Sequence, residues 1–189
     1  MPERLTRAAL ACKRWCRLVS DPGFRRRFRE RHRTPPLLGV LLNSRDNDGR
    51  GITRFVPKTS SFLPPRPELR GWWARDSRHG RVLLHRQPWR WRHPFQSAGF
   101  LAVWEPIADE LRELPAPPRR MISWSWNVAV LCAAMDCDHH DCSRGHFLVV
   151  LAATDFYGRV FESCVYSSEA NAWSEPTSAA PTHHCQLPS

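Results

Sequence analysis

Leu5-Thr6-Arg7-Ala8-Ala9-Leu10-Ala11-Cys12-Lys13-Arg14-Trp15-Cys16-Arg17-Leu18-Val19-Ser20-Asp21-Pro22-Gly23-Phe24 reads as an amphipathic helix, a stop and a second short helix. Apolar residues at Leu5, Ala8, Ala9, Cys12, Trp15, Cys16 and Val19 recur in steps of three and four, which places them on one helical stripe. Ala, Leu, Arg and Lys favour the helix. Ser20 or Asp21 can cap the next helix, and Pro22 suits its first position. That second helix is expected from Gly23 to about His32, with Phe24 and Phe28 on one face, and Thr34-Pro35-Pro36 ends it. So short a stretch cannot bury its own apolar stripe, which therefore needs the rest of the chain or a partner.

Beyond residue 34 the pattern changes from helical to strand-like. Leu37 to Leu42 is a continuous apolar run, followed by a turn at Asn47-Asp48-Gly49 and a second strand at Ile52 to Val56. Pro57 to Pro67 reads as loop. Gly80 to His85 and Phe100 to Pro106 read as strands, and Leu111 to Pro115 returns with a short strand or a bulge. Further strands are expected at Ile122 to Trp126, Val128 to Ala134, His146 to Ala152 and Val160 to Ser168, the last leading through a polar turn into Trp173-Ser174-Glu175-Pro176. Gln87 to Gln96, alternating Arg and Trp, is a half-buried strand or an insertion. Two units thus share a shape: apolar strand, aromatic near its end, polar turn, short segment ending in Pro. Repeated antiparallel sheets, as in propeller blades, give that appearance.

The 189 residues include seventeen Pro, nine Gly, nine Trp and nine Phe, which favours short segments and turns with large aromatic anchors. The formal charge of +10 is unevenly spread. There are eleven Lys/Arg against three Asp/Glu in 1–34, fifteen against eight in 35–120, and two against seven in 121–189. Seven Cys, no apolar leader after Met1-Pro2-Glu3-Arg4 and no run long enough for a membrane span lead to the expectation of an intracellular protein, nuclear or cytoplasmic, with free thiols.

Cys12-Lys13-Arg14-Trp15-x-x-Leu18-Val19-Ser20-Asp21-Pro22-x-Phe24 resembles the second half of an F-box, most closely that of grass F-box proteins. The resemblance continues through Phe28-Arg29-x-Arg31-His32-x-Thr34-Pro35-Pro36-Leu37-Leu38-Gly39, Arg78 to Leu84, Val103 to Ile107, Asn127 to Ala134 and Cys164 to Trp173. It implies a substrate-receptor subunit of an SCF-type ubiquitin ligase, without catalytic chemistry or cofactor. Its F-box helices dock on a Skp-type adaptor of the cullin complex, and Kelch-like, propeller-type repeats hold a protein substrate. The implied adaptor face is Leu5, Leu10, Cys12, Trp15, Leu18, Val19 and Phe24; the competing use of these residues is packing against the chain's own β region. Pro2-Glu3-Arg4 stands where the family carries a Leu-Pro-x-Glu/Asp segment and a Leu/Ile-rich helix, so the expectation is an N-terminally truncated F-box. The expected fold is α+β: a partial F-box-like helical module over 1–34, an antiparallel, partial propeller-like β region over 35–177 and a disordered tail over 178–189.

Other features of the sequence compete with that reading. The run Arg25-Arg26-Arg27-x-Arg29-x-Arg31-x-Arg33 could touch phosphates, which makes a basic nucleic-acid-binding protein the alternative; a solvated helix face is the plainer use. A truncated, non-functional F-box paralogue is the other rival. Cys137-x-His139-His140-x-Cys142, with Cys132 and His146 nearby, is the one metal-like cluster. Its spacing matches no standard zinc motif and three Asp crowd it, so the expectation is a solvated polar loop and no metal. Trp72, Trp73, Trp89, Trp91, Trp124 and Trp126 could line a groove, but packing inside β sheets is the simpler use. Neither a Gly-x-Ser-x-Gly, a P-loop nor a dinucleotide fingerprint occurs.

Overall fold

The computed structural model describes residues 11–31, 37–58, 64–86, 101–118, 125–135, 137, 139, 142, 145–154 and 161–179, without the side chains of Arg25 and Arg29. The expected Arg/Trp segment 87–96 lies outside them. The chain divides into two units, Met1–Val40 with Val56–Leu63, and Leu41–Phe55 with Pro64–Ser189.

In the first unit, α1 (Lys13–Ser20) and α2 (Pro22–Arg31) meet at Asp21. Asp21 Oδ1 accepts the Phe24 backbone N–H at 2.7 Å and satisfies one of the amides that a helix start leaves open. A Cβ at Gly23 would stand 3.2 Å from that same oxygen, so the small residue leaves room for the cap. Phe24 and Phe28 stack with ring centroids 6.1 Å apart. The expected single helix over 5–19 does not run through Cys12. Cys12 is extended (φ −152°, ψ 131°) and α1 begins after it, with no side-chain cap. Cys is a poor helix former, but nothing else in the local sequence marks this break.

The β-rich part has twelve strands among the described residues: β1 (Gly39–Arg45), β2 (Gly51–Pro57), β3 (Glu68–Arg70), β4 (Trp72–Arg78), β5 (Arg81–Arg86), β6 (Leu101–Glu105), β7 (Glu110–Glu113), β8 (Ser125–Cys132), β9 (Phe147–Thr154), β10 (Phe161–Ser167), β11 (Ala172–Trp173) and β12 (Thr177–Ala179). They form three sheets in the orders β1-β2-β3, β4-β5-β6-β7 and β8-β9-β10-β11, with β12 also on β10. The second and third are antiparallel four-strand meanders in sequence order. β12 reaches Ala179, past the start of the expected tail; residues 180–189 lie outside the described set.

Alternation along the strands sorts the core. In the second sheet Val82, Leu84, Ala102 and Trp104 face Leu69 and Trp72. Leu83, Leu101 and Val103 point the other way and meet Val130, Phe147, Val149 and Tyr166 of the third sheet. β5 and β6 are therefore covered on both faces, which explains why they read as continuous apolar runs rather than as alternating ones. In the third sheet Leu151, Ala153 and Cys164 extend the buried face, while Leu131, Leu148, Ala129, Val150 and Val165 lie half-buried on the opposite one. Trp72 is buried in the core, as the sequence pattern suggests.

The two meanders repeat in detail. Trp104 and Tyr166, both fully buried, are each the last residue but one of their strands. Five residues later Asp109 (φ 57°) and Asn171 (φ 52°) adopt the left-handed conformation that Asp and Asn tolerate. Asp109 Oδ1 accepts the Trp104 indole N–H at 3.3 Å, and Asn171 Oδ1 accepts the Tyr166 hydroxyl at 2.8 Å. The strand then returns so that Leu111 lies opposite Trp104 and Trp173 opposite Tyr166. Arginine from the preceding sheet or loop reaches the same turn residue in each case, Arg66 on Asp109 and Arg112 on Asn171.

Of the short strand or bulge expected near Leu111–Leu114, the short strand forms, as β7. β7 pairs evenly with β6, and the bulge lies in β4 between Ala74 and Asp76. The extra residue redirects Asp76, whose Oδ2 accepts the Val130 N–H of β8 at 3.0 Å. One carboxylate thereby closes an amide on the edge of the neighbouring sheet.

Two substitutions test this packing by denaturant unfolding. Trp104→Ala opens a cavity between the first two sheets and is expected to lower stability by about 3–5 kcal/mol. Asp76→Ala leaves the Val130 amide without its acceptor and is expected to cost about 1–3 kcal/mol, with Asp76→Asn milder because an acceptor oxygen remains.

Candidate functional site

Two places gather residues that the sequence singles out. In the first unit, of the seven implied adaptor-face residues, Leu5 and Leu10 lie outside the described set. Cys12 is exposed, Val19 is buried and Phe24 is half-buried against Phe28. Trp15 and Leu18, three residues apart on α1, are 46% and 44% exposed. Neighbouring positions on a helix share a side, so these two large apolar side chains form one solvent-facing patch. On α2, Arg26 pairs with Glu30 at 3.6 Å, and Arg27 and Arg31 are exposed.

The second place lies in the other unit, at the connection from β8 to β9. Cys132 is the last residue of β8, and Cys137, His139 and Cys142 follow in the connection. Their sulfur and imidazole atoms all lie within 4.8 Å of one another. Cys142 Sγ is 3.8 Å from His139 Nδ1, and the His139 N–H donates to Cys137 Sγ at 3.4 Å. Cys142 is buried, Cys132 and Cys137 are half-buried and His139 is exposed. A wholly solvated polar loop was the expectation from sequence; the burial of Cys142 and the convergence of three sulfurs correct it. His146 takes no part with its side chain. Its backbone oxygen accepts the Ala133 N–H at 3.1 Å and closes the mouth of the connection. His140 lies outside the described residues.

Neighbouring elements fix this cluster. The Cys142 carbonyl accepts the Gly145 N–H, and the Gly145 carbonyl in turn accepts Arg81 Nη2. His79 and Gly80 form the two-residue turn between β4 and β5, both with positive φ, as the hairpin twist requires. That turn lays the His79 ring on His139, centroids 4.2 Å apart. Burial lowers the His79 pKa, aided by the charges of His139, Arg78 and Arg81. Burial pushes the Cys142 thiol up to about 12, reinforced by hydrogen bonding to Cys132 and Cys137. For Cys132 burial acts upward, but hydrogen bonds from the Ala134 backbone, Cys137 and Cys142 outweigh it and bring the pKa down.

Beside the cluster is an open cleft of about 270 Å³ that Glu105, Glu110, Arg112 and His146 border. Its lining is mainly polar and of mixed charge. Among the described residues no helix is long and apolar enough to cross a membrane. No family model, curated protein or solved structure matches the chain.

Proposed function

We propose that the chain is a non-catalytic protein–protein adaptor, the substrate-receptor subunit of an SCF-type ubiquitin ligase. On this reading the N-terminal helices dock on a Skp-type adaptor of the cullin complex, and the β region, read as part of a Kelch-like propeller, holds a protein substrate. The observation that carries the reading is the exposed Trp15–Leu18 patch on a short helix whose sequence is F-box-like. A solvent-facing tryptophan beside a leucine is the kind of anchor that dominates interfaces, because a large rigid ring gives up little conformational freedom when a partner covers it. Two consecutive four-strand meanders with a repeated aromatic–turn contact support the blade reading. The mixed-charge lining of the cleft beside the β8–β9 connection suits a polar segment of a protein substrate.

The test is retention of the chain on an immobilised Skp-type adaptor. Wild type is expected to be retained. Trp15→Ala is expected to lose at least about 2 kcal/mol of binding, on the order of a thirtyfold weaker complex. Because Trp15 is half-exposed, the variant's circular dichroism should match wild type. A wild-type chain that folds and is not retained refutes the proposal.

A further inference from the structure

We propose that Cys132, Cys137, His139 and Cys142 bind one zinc ion in tetrahedral coordination, a site independent of the adaptor reading. Three thiols and one imidazole are a complete zinc ligand set. With Zn–S near 2.3 Å and Zn–N near 2.0–2.1 Å, a tetrahedron has edges of about 3.6 Å from sulfur to nitrogen and about 3.8 Å from sulfur to sulfur. The 3.8 Å between Cys142 Sγ and His139 Nδ1 is close to the first, and the 4.8 Å limit on all four atoms leaves small side-chain rotations to close the rest.

The surroundings hold the ligands in place. Cys132 sits on a strand, the Ala133–His146 hydrogen bond closes the connection behind it, and Gly145 is tied to Arg81. His79, its ring tilted against that of His139, orients the imidazole as a positioning residue. Thiolate ligands favour zinc over magnesium or calcium, which take oxygen donors. Four protein ligands leave no open position for a reacting water, so the zinc is structural: it pins the β8–β9 connection where it meets the β4–β5 turn.

The full chain, produced in zinc-supplemented medium and kept reduced, is assayed for metal by mass spectrometry. About one zinc per chain is expected. Cobalt exchange should give the charge-transfer and tetrahedral bands of a thiolate site. Cys137→Ser and Cys142→Ser should lose both signals, while Cys16→Ser, whose thiol lies on α1, should keep them. His139→Ala removes an exposed ligand, so it should fold as wild type and bind zinc at least roughly tenfold more weakly. Less than about one zinc per ten folded wild-type chains overturns the site. So does copper in place of zinc, or zinc content and affinity unchanged in both Cys137→Ser and His139→Ala.

Discussion

The second and third sheets are held in register by one buried charge. The Arg81 side chain is 1% exposed, and a guanidinium so far from water is tolerated only when its charge and its N–H donors are met. Glu105 at the end of β6 supplies the carboxylate at 3.1 Å, the Gly145 carbonyl takes Nη2, and the Phe147 ring lies 5.0 Å from the guanidinium carbon. These partners come from two sheets. Sliding the sheets apart would strand the charge, so Arg81 makes the junction specific as well as stable. The bulge in β4 acts from the other side of the same junction, since Asp76 reaches the β8 edge there. Two polar contacts thus fix an alignment that the apolar core, being non-directional, would not fix alone.

Around that junction the chain repeats a simple device. A buried aromatic closes a strand, a left-handed Asp or Asn turns the chain and accepts the aromatic's polar hydrogen, and an arginine from the preceding sheet or loop reaches the same residue. Each turn therefore does two jobs. It satisfies a polar group that burial would otherwise penalise, and it gives the preceding element a fixed point of attachment. The sheets can add one after another because each offers the element before it an acceptor in the same place.

Much of this is readable in the sequence. The apolar runs at Gly80 to His85 and Phe100 to Pro106 read as strands, although the covering of both their faces is not read there, and Asp21-Pro22 marks the start of α2. The β3 and β4 strands were not legible. Glu68–Arg70 is too short to show a period, and Trp72–Arg78 carries a bulge that breaks its alternation and puts charges where apolar residues would be sought. The β12 strand hid in a polar tail for a similar reason: it contributes backbone pairing to β10 and no apolar side chain.

The Cys/His cluster stands out in the sequence, Cys132 included, but its irregular spacing points to a solvated polar loop. A search for metal motifs looks for ligands close together in a loop, whereas here Cys132 belongs to a strand and is brought alongside the others by closure of the β8–β9 hairpin. Register does what spacing does in a shorter motif. Cys132 lies opposite Phe147, so the chain between them must turn back within a fixed span, and Cys142 is drawn inward as Gly145 is tied to Arg81. The signal in sequence is Cys132, Cys137, His139 and Cys142 falling within one short stretch between two apolar strands. Its meaning depended on the same buried arginine that aligns the sheets: the contact that fixes the junction also carries the connection toward the β4–β5 turn, where His79 meets His139.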